Sequence, residues 1–220
     1  MSSLSDRVSP LRKETLQDGV FRGLCELILQ GGLAPGQSVT VASLAEAFGV
    51  SPMPVREALT RLFAAGALTV ISGRTVGVPK LTRERLDDLR RVRGEVEPLA
   101  ARWAAERVDA TFIEELQATL DHAEDAASRG NGKLYVQANY DFHFTIYRHA
   151  ASPLLLSIIE NLWLQISPYF HLLRASGHFR ISNRHHEQIL AALQARDGER
   201  SAAALIEDIE DAYRILVDVI

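Results

Sequence analysis

Two prolines, Pro52 and Pro54, stand at the head of an apolar-periodic run, "FGVSPMPVREALTRL", residues 48–62. Their placement constrains the fold more than any other feature of the chain. Proline lacks a backbone N–H and clashes with the preceding turn inside a helix, but neither cost applies in the first turn. With Ser51 as N-cap, Pro52 becomes the first helical residue and Pro54 the third. The helix start is thereby pinned. Val55, Ala58, Leu59, Leu62 and Phe63 recur at helical spacing and form the buried stripe. Met53, Arg56, Thr60 and Arg61 are left facing outward, near the helix start.

The flanking sequence says what this helix belongs to. A first helix is expected from Glu14 to Gln30, with Leu16, Val20, Leu24, Leu27 and Ile28 on its inner face. Gly31-Gly32 stop it, and Pro35-Gly36 sit in the usual turn positions. Thr40 caps a short second helix over residues 41–48, which Gly49 ends. After Gly66, residues 67–71 and 75–78 read as two strands around the turn Ser72-Gly73-Arg74.

Short helix, tight turn, helix and hairpin make a winged helix-turn-helix. In that arrangement the second helix of the pair enters a DNA major groove with its N-terminal residues nearest the bases. Ser51, Met53, Pro54, Arg56 and Arg61 are expected to face the groove or its phosphates. Gly73 and Arg74 in the wing are expected to meet the minor groove or the backbone. Arginine pairs bidentately with guanine or with phosphate, so Arg56 suits either job. The plainer alternative pairs Arg56 with Glu46 or Glu57 on the surface.

From Leu81 onward the chain reads as all helical. Thr82 caps a helix over residues 83–107, with a kink expected at Pro98. Further helices are expected over 111–130, 133–150, 153–173 (kinked at Pro168), 178–196 and 199–220. Six helices with short connections argue for an antiparallel bundle. The expected fold class is mostly α: an N-terminal winged helix-turn-helix, residues 1–80, followed by an all-α antiparallel helical bundle, residues 81–220. Residues 1–10 read as disordered. The smaller unit holds 8 Lys and Arg against 6 Asp and Glu, the larger 16 against 22, and all seven histidines lie in the larger. That asymmetry suggests two tasks.

No apolar run approaches the roughly 20 residues that span a bilayer, so no membrane partner is expected. The first residues lack the apolar core of a secretory signal. A lone Cys25 cannot form an internal disulfide, which suits a reducing cytoplasm.

The bundle also carries inward polar residues. Asn139 and His143 are four apart and share a helix face. His186 lies with Ile189, Leu190 and Leu193, and Asp208 with Ala204, Leu205, Ala212 and Ile215. A carboxylate on an apolar stripe needs a partner, because burying it bare is very costly. Two accounts stay open: a hydrogen-bonded core cluster joining a histidine to Asp208, or a divalent metal (Zn, Ni or Mn) held by Asn139, His143, His186 and Asp208.

"GLAPGQSVTVASLAEAFGVSPMPVREALTRLFAAGALTV" resembles the N-terminal domain of GntR-family bacterial transcription regulators. It carries the G-x-L-x-P-G turn and L-A-x-x-x-G-V-S-x-x-P-V-R-E-A-L-x-R-L. The downstream half resembles the FCD effector domain of the FadR branch, and its six helices look like the VanR-type subset. The marks are "RVRGEVEPLAA", the Asn139–His143 pair in "NYDFH", and "HEQILAALQARDGERSAAAL". The resemblance implies a cytoplasmic, ligand-responsive regulator that binds a short inverted repeat of double-stranded operator DNA as a homodimer. It also implies a metal held by Asp or Asn with three His, here with Asp208 where the third His usually stands. Arg93, at the family's matching arginine, would hold a small organic acid as effector. A second departure is Pro52, where the family usually has a basic residue. Two other functions are weighed beside this one: a DNA-binding dimer with no effector, and a metal-dependent enzyme built on the His and carboxylate set.

Overall fold

The computed structural model describes residues 16–176 and 178–220. The expected helix start at Glu14 and the expected disorder of residues 1–10 lie outside the described residues. Chain order begins with α1 (Leu16–Leu29), β1 (Ser38–Thr40), α2 (Val41–Phe48), α3 (Pro52–Ala64), β2 (Thr69–Ser72) and β3 (Thr75–Gly77).

Thr40 starts α2 through a reciprocal pair with Ser43. The Ser43 N–H donates to Thr40 Oγ1 at 3.0 Å, and the Thr40 N–H donates to Ser43 Oγ at 3.1 Å. Gly49 ends α2 at φ 63°, a left-handed conformation that glycine adopts without a Cβ penalty. Ser51 occupies the N-cap position of α3, but its side chain makes no capping bond. The prolines explain this: Pro54 at the third helical position has no N–H to offer. The helix start is fixed by ring geometry instead of by a cap.

The wing has one more strand than the sequence suggests. β1 pairs antiparallel with β3 (Val39 opposite Val76), and β3 pairs with β2, giving the order β1-β3-β2. Three residues ending in a helix cap are too few to show strand alternation. Gly77 is required here: a Cβ on it would lie 2.5 Å from the Gln37 carbonyl oxygen. Behind the wing, Leu24 and Ile28 of α1 and Val55, Leu59 and Leu62 of α3 are fully buried together.

The bundle comprises α4 (Arg83–Ala105), α5 (Ala110–Ser128), α6 (Gly132–His149), α7 (Pro153–Ile166), α8 (His178–Gln194) and α9 (Gly198–Val219). Helix α4 runs without interruption through Pro98. At Pro168 the outcome differs from the expected kink: α7 stops at Ile166 and a 3-10 segment, Ser167–Ser176, follows. Proline at 168 withholds an N–H from the Leu164 carbonyl and crowds it, which ends the α-helix. The strongest packing joins α4 to α9, α8 to α9 and α5 to α6.

Candidate functional site

Two places in the fold concentrate chemistry. The first is the surface of α3 and the wing. Ser51, Met53 and Arg56 are exposed, Met53 at 63%. Arg56 shares one groove with Pro52, Thr60 and the wing residues Gly73 and Arg74. Among the described residues neither Arg56 nor Arg74 joins an ion pair, so the alternative pairing of Arg56 with Glu46 or Glu57 is not formed.

Two of the expected DNA-facing residues are placed otherwise. Pro54 is buried and offers no contact surface. Arg61 turns onto α1, where Nη1 lies 3.0 Å from Asp18 and the guanidinium stacks 3.5 Å above the Phe21 ring. Five residues on a helix amount to about 140° of rotation, so Arg61 cannot share the face of Arg56. Thr40 and Ala42, which carry no expectation of a DNA contact, also line the groove, as does Thr60, which the helical spacing places on the outward face. They come from the tip of β1, the start of α2 and the next turn of α3.

The second place is a cavity enclosed by α4, α6, α7, α8, α9 and the 3-10 segment. Its polar wall holds Arg93, Tyr135, Asn139, His143, Ser182 and Asp208. His143, His186 and Asp208 are buried, and one ligand atom from each falls within 4.8 Å of the others. His143 Nε2 lies 3.2 Å from His186 Nε2 and 3.3 Å from Asp208 Oδ2. His186 Nε2 is 3.9 Å from the same oxygen. Ligands about 2.1 Å from a metal stand about 3.0–3.4 Å apart at tetrahedral or octahedral angles, so both spacings from His143 fit a divalent ion, while the His186–Asp208 pair stands wider. Asn139 lines the same cavity and is the fourth donor of the expected set.

The electrostatics agree with the chemistry of the donors. Burial by itself would raise the pKa of Asp208. Hydrogen bonds to His143 and Ser182, with the charges available on both histidines, instead hold it well below the usual carboxylate range. Ser182 Oγ donates to Asp208 Oδ1 at 2.8 Å. Burial, followed by the neighbouring Glu97 charge, pushes the Tyr147 hydroxyl well above its ordinary value.

Arg93 reaches the cavity as expected, but it is already engaged. Its Nε donates to Glu97 Oε1 at 2.5 Å and its Nη2 to Oε2 at 3.3 Å. An incoming carboxylate therefore meets a guanidinium with one edge taken, Nη1 having no protein partner among the described residues. The sequence assigns no role to Glu97 or Ser182, and it places Tyr147 only as a neighbour on the inward face of Asn139 and His143. Each stands four residues from a residue that was recognised: Arg93, His143 and His186. Extending the helical spacing one step from His143 and His186 reaches Tyr147 and Ser182, whereas Glu97, four residues from Arg93, reads as an ordinary surface pair. The cavity is about 20 Å³, room for a metal ion and a water.

Comparison with known proteins places both regions. The FCD domain family matches residues 88–211, and the family described as bacterial regulatory proteins, gntR family, matches residues 16–78. The chain is 33% identical to the HTH-type transcriptional regulator McbR of Escherichia coli (strain K12), over 84% of this chain and 86% of that protein. It is 26% identical to a probable D-xylose utilization operon transcriptional repressor of Paenarthrobacter nicotinovorans, over 83% and 80%. The solved structure of E. coli McbR/YncC superposes with a TM-score of 0.85 at 31% identity, covering 93% of this chain and 98% of that one. A GntR protein from Rhodococcus sp. RHA1 shares the fold at a TM-score of 0.76 and 21% identity, again over 93% and 98%. These domains and relatives are those of transcription regulators, not of enzymes.

Proposed function

This chain belongs to the gntR family of bacterial regulatory proteins and carries an FCD domain, and from that premise we propose a dimeric regulator whose hold on its operator is set by a small organic acid bound with a divalent metal in the bundle. It is a DNA-binding transcription regulator. No described helix is long and apolar enough to cross a membrane, which agrees with a cytoplasmic setting.

The observation that carries the finer reading is the convergence of His143 Nε2, His186 Nε2 and an Asp208 oxygen beside Asn139 and Arg93. Asn139, His143, His186 and Asp208 would hold a divalent metal there, and it would supply positive charge for a carboxylate oxygen. Arg93, through its Nη1 edge, orients the rest of the anion. The apolar wall of Phe170 and Leu173 must shift to admit an organic acid, because the enclosed space is so small.

On the DNA side, Ser51, Met53 and Arg56 face the major groove, and Gly73 and Arg74 of the wing face the adjacent backbone or minor groove. The working boundary between the two units lies at residue 80. One such head offers few contacts, so two heads on an inverted repeat give usable affinity. Val92, Leu99 and Trp103 share one face of α4 and are each more than a third exposed, an apolar stripe that a second copy would cover.

Elemental analysis and melting curves with Zn²⁺, Ni²⁺ and Mn²⁺, on wild type and His143→Ala, test the metal. Operator binding with and without a panel of small carboxylic acids tests the effector, and sedimentation at micromolar concentration tests the dimer. The expected results are metal in the wild type alone, an acid-dependent change in operator affinity, and a dimer. No stabilisation by metal beyond the mutant's, an operator affinity that no acid moves, or a monomer overturns the corresponding part.

A further inference from the structure

We propose that Glu97 and Tyr147 are positioning residues that keep a hydrogen on His143 Nδ1, so that Nε2 is the atom offered to a metal. The inference rests on the metal reading of the cavity for its purpose, but not for its geometry. Its starting point is a residue that neither the DNA surface nor the donor set uses: Glu97 is 0% exposed, in the middle of α4. A carboxylate so placed must be satisfied on every side.

Its partners form a chain of short contacts. Arg93 lies one turn earlier on the same helix and donates through Nε to Oε1 and through Nη2 to Oε2, so both Glu97 oxygens serve as acceptors. On the opposite side Tyr147 Oη lies 2.5 Å from Glu97 Oε2. The same hydroxyl lies 3.2 Å from His143 Nδ1. His143 and Tyr147 are themselves one turn apart on α6, so the chain consists of two i,i+4 pairs joined where α4 packs on α6.

The hydroxyl has a single hydrogen, and its two neighbours compete for it. If it pointed to His143 Nδ1, a phenol lone pair would face the carboxylate oxygen at 2.5 Å among buried side chains. Two acceptors in contact there are repulsive, whereas O–H···O⁻ at that distance is the short, charge-assisted kind of bond. The hydrogen therefore goes to Glu97. The hydroxyl oxygen is left as an acceptor, and the group that can donate to it is His143 Nδ1–H. With Nδ1 so occupied, Nε2 turns to the point that His186 Nε2 and Asp208 Oδ2 also face, 3.2 Å and 3.3 Å away. A ligating histidine typically needs such an outer partner to fix its orientation and tautomer.

Long-range ¹⁵N NMR of the imidazole nitrogens, with His143 assigned by the signals lost in His143→Gln, reads the hydrogen directly. It is recorded on the full-length protein, metal-free and Zn²⁺-loaded. The expected result is hydrogen on His143 Nδ1 in both states and Zn²⁺ on Nε2. Tyr147→Phe keeps the ring and removes the acceptor. It is expected to lower the melting temperature of the metal-free protein, because Glu97 loses a donor, and to weaken Zn²⁺ by about 10- to 100-fold at a temperature where both proteins are folded, measured against a chromophoric chelator. A bare Nδ1 in the wild type, Zn²⁺ bound through Nδ1, or a Tyr147→Phe protein that holds Zn²⁺ as tightly as wild type overturns the proposal. If the wild type takes up no Zn²⁺, the metal reading falls by itself, and the metal-free Nδ1 signal still supports or overturns the relay.

Discussion

Arg56 and Arg61 belong to one helix and one motif, yet they serve different surfaces. Arg56 faces an open groove with Arg74 across it, whereas Arg61 is held by Asp18 and Phe21 of α1. Arg56→Ala should weaken operator binding by about 1–3 kcal/mol, as measured by fluorescence anisotropy. A loss confined to one operator position marks base reading, and a uniform loss with a shallower salt dependence marks a phosphate contact. Arg61→Ala should leave specificity alone and lower thermal stability by about 1 kcal/mol or less, since its pair and stack are half-exposed. Cys25 gives a third expectation at this scale. Burial raises its thiol from the ordinary 9.0 to about 11, with Glu160 and Glu26 adding to the shift and Arg61 opposing it. At pH 8 its thiolate fraction, and hence its alkylation by iodoacetamide, should be about a hundredfold below that of an ordinary thiol. Alkylation as fast as free cysteine would mean that α1 opens readily from α3.

The elements divide into those whose boundaries are written locally and those decided by tertiary contact. α2 and α3 are of the first kind: α2 spans Val41–Phe48 between Thr40 and Gly49 as expected, and α3 starts at Pro52 as expected. The division of residues 153–176 into α7 and a 3-10 segment is intermediate. Pro168 marks the place, but whether a helix bends or ends there depends on what the freed carbonyl and the following residues pack against. β1 is of the second kind, because three residues gain strand character only by pairing with β3. That pairing brings Gly77 against the Gln37 backbone, so Gly77→Ala sets a Cβ 2.5 Å from a carbonyl oxygen that cannot rotate away. The substitution should cost about 1–3 kcal/mol in denaturant unfolding and should lower operator affinity as the wing shifts. Unfolding at the wild-type denaturant midpoint would show that β1 can move aside freely.

At the scale of the whole molecule, the sequence revealed which residues point inward but not which of them meet. Asn139, His143, His186 and Asp208 were legible because each interrupts an apolar stripe. Glu97 was not, because on a helix so rich in charge a carboxylate four residues from an arginine looks like an ordinary surface pair. Only the packing of α4 on α6 shows it to be buried. The joint between the two units was equally hidden, since it uses main-chain atoms that no sequence pattern marks. Arg85 on α4 donates through Nη2 to the Gly66 carbonyl at 2.6 Å and to Gln165 Oε1 of α7 at 3.1 Å. Tyr169 donates to the Pro79 carbonyl, and Ser167 Oγ to the Ile28 carbonyl of α1 at 3.4 Å. Tyr169 adjoins Phe170, whose ring forms part of the cavity wall, so the cavity and the strand-to-helix connection share one short segment. Arg85→Ala leaves the Gly66 carbonyl without this donor, a loss of about 1–3 kcal/mol at the joint if the carbonyl stays buried. Limited trypsin digestion reads it directly, because Lys80 is exposed beside Pro79. Cleavage after Lys80 should quicken several-fold in Arg85→Ala and again in Tyr169→Phe, while the bundle itself melts as before. Equal cleavage in wild type and both variants would mean that apolar packing of α1 against α7 holds the joint without these bonds.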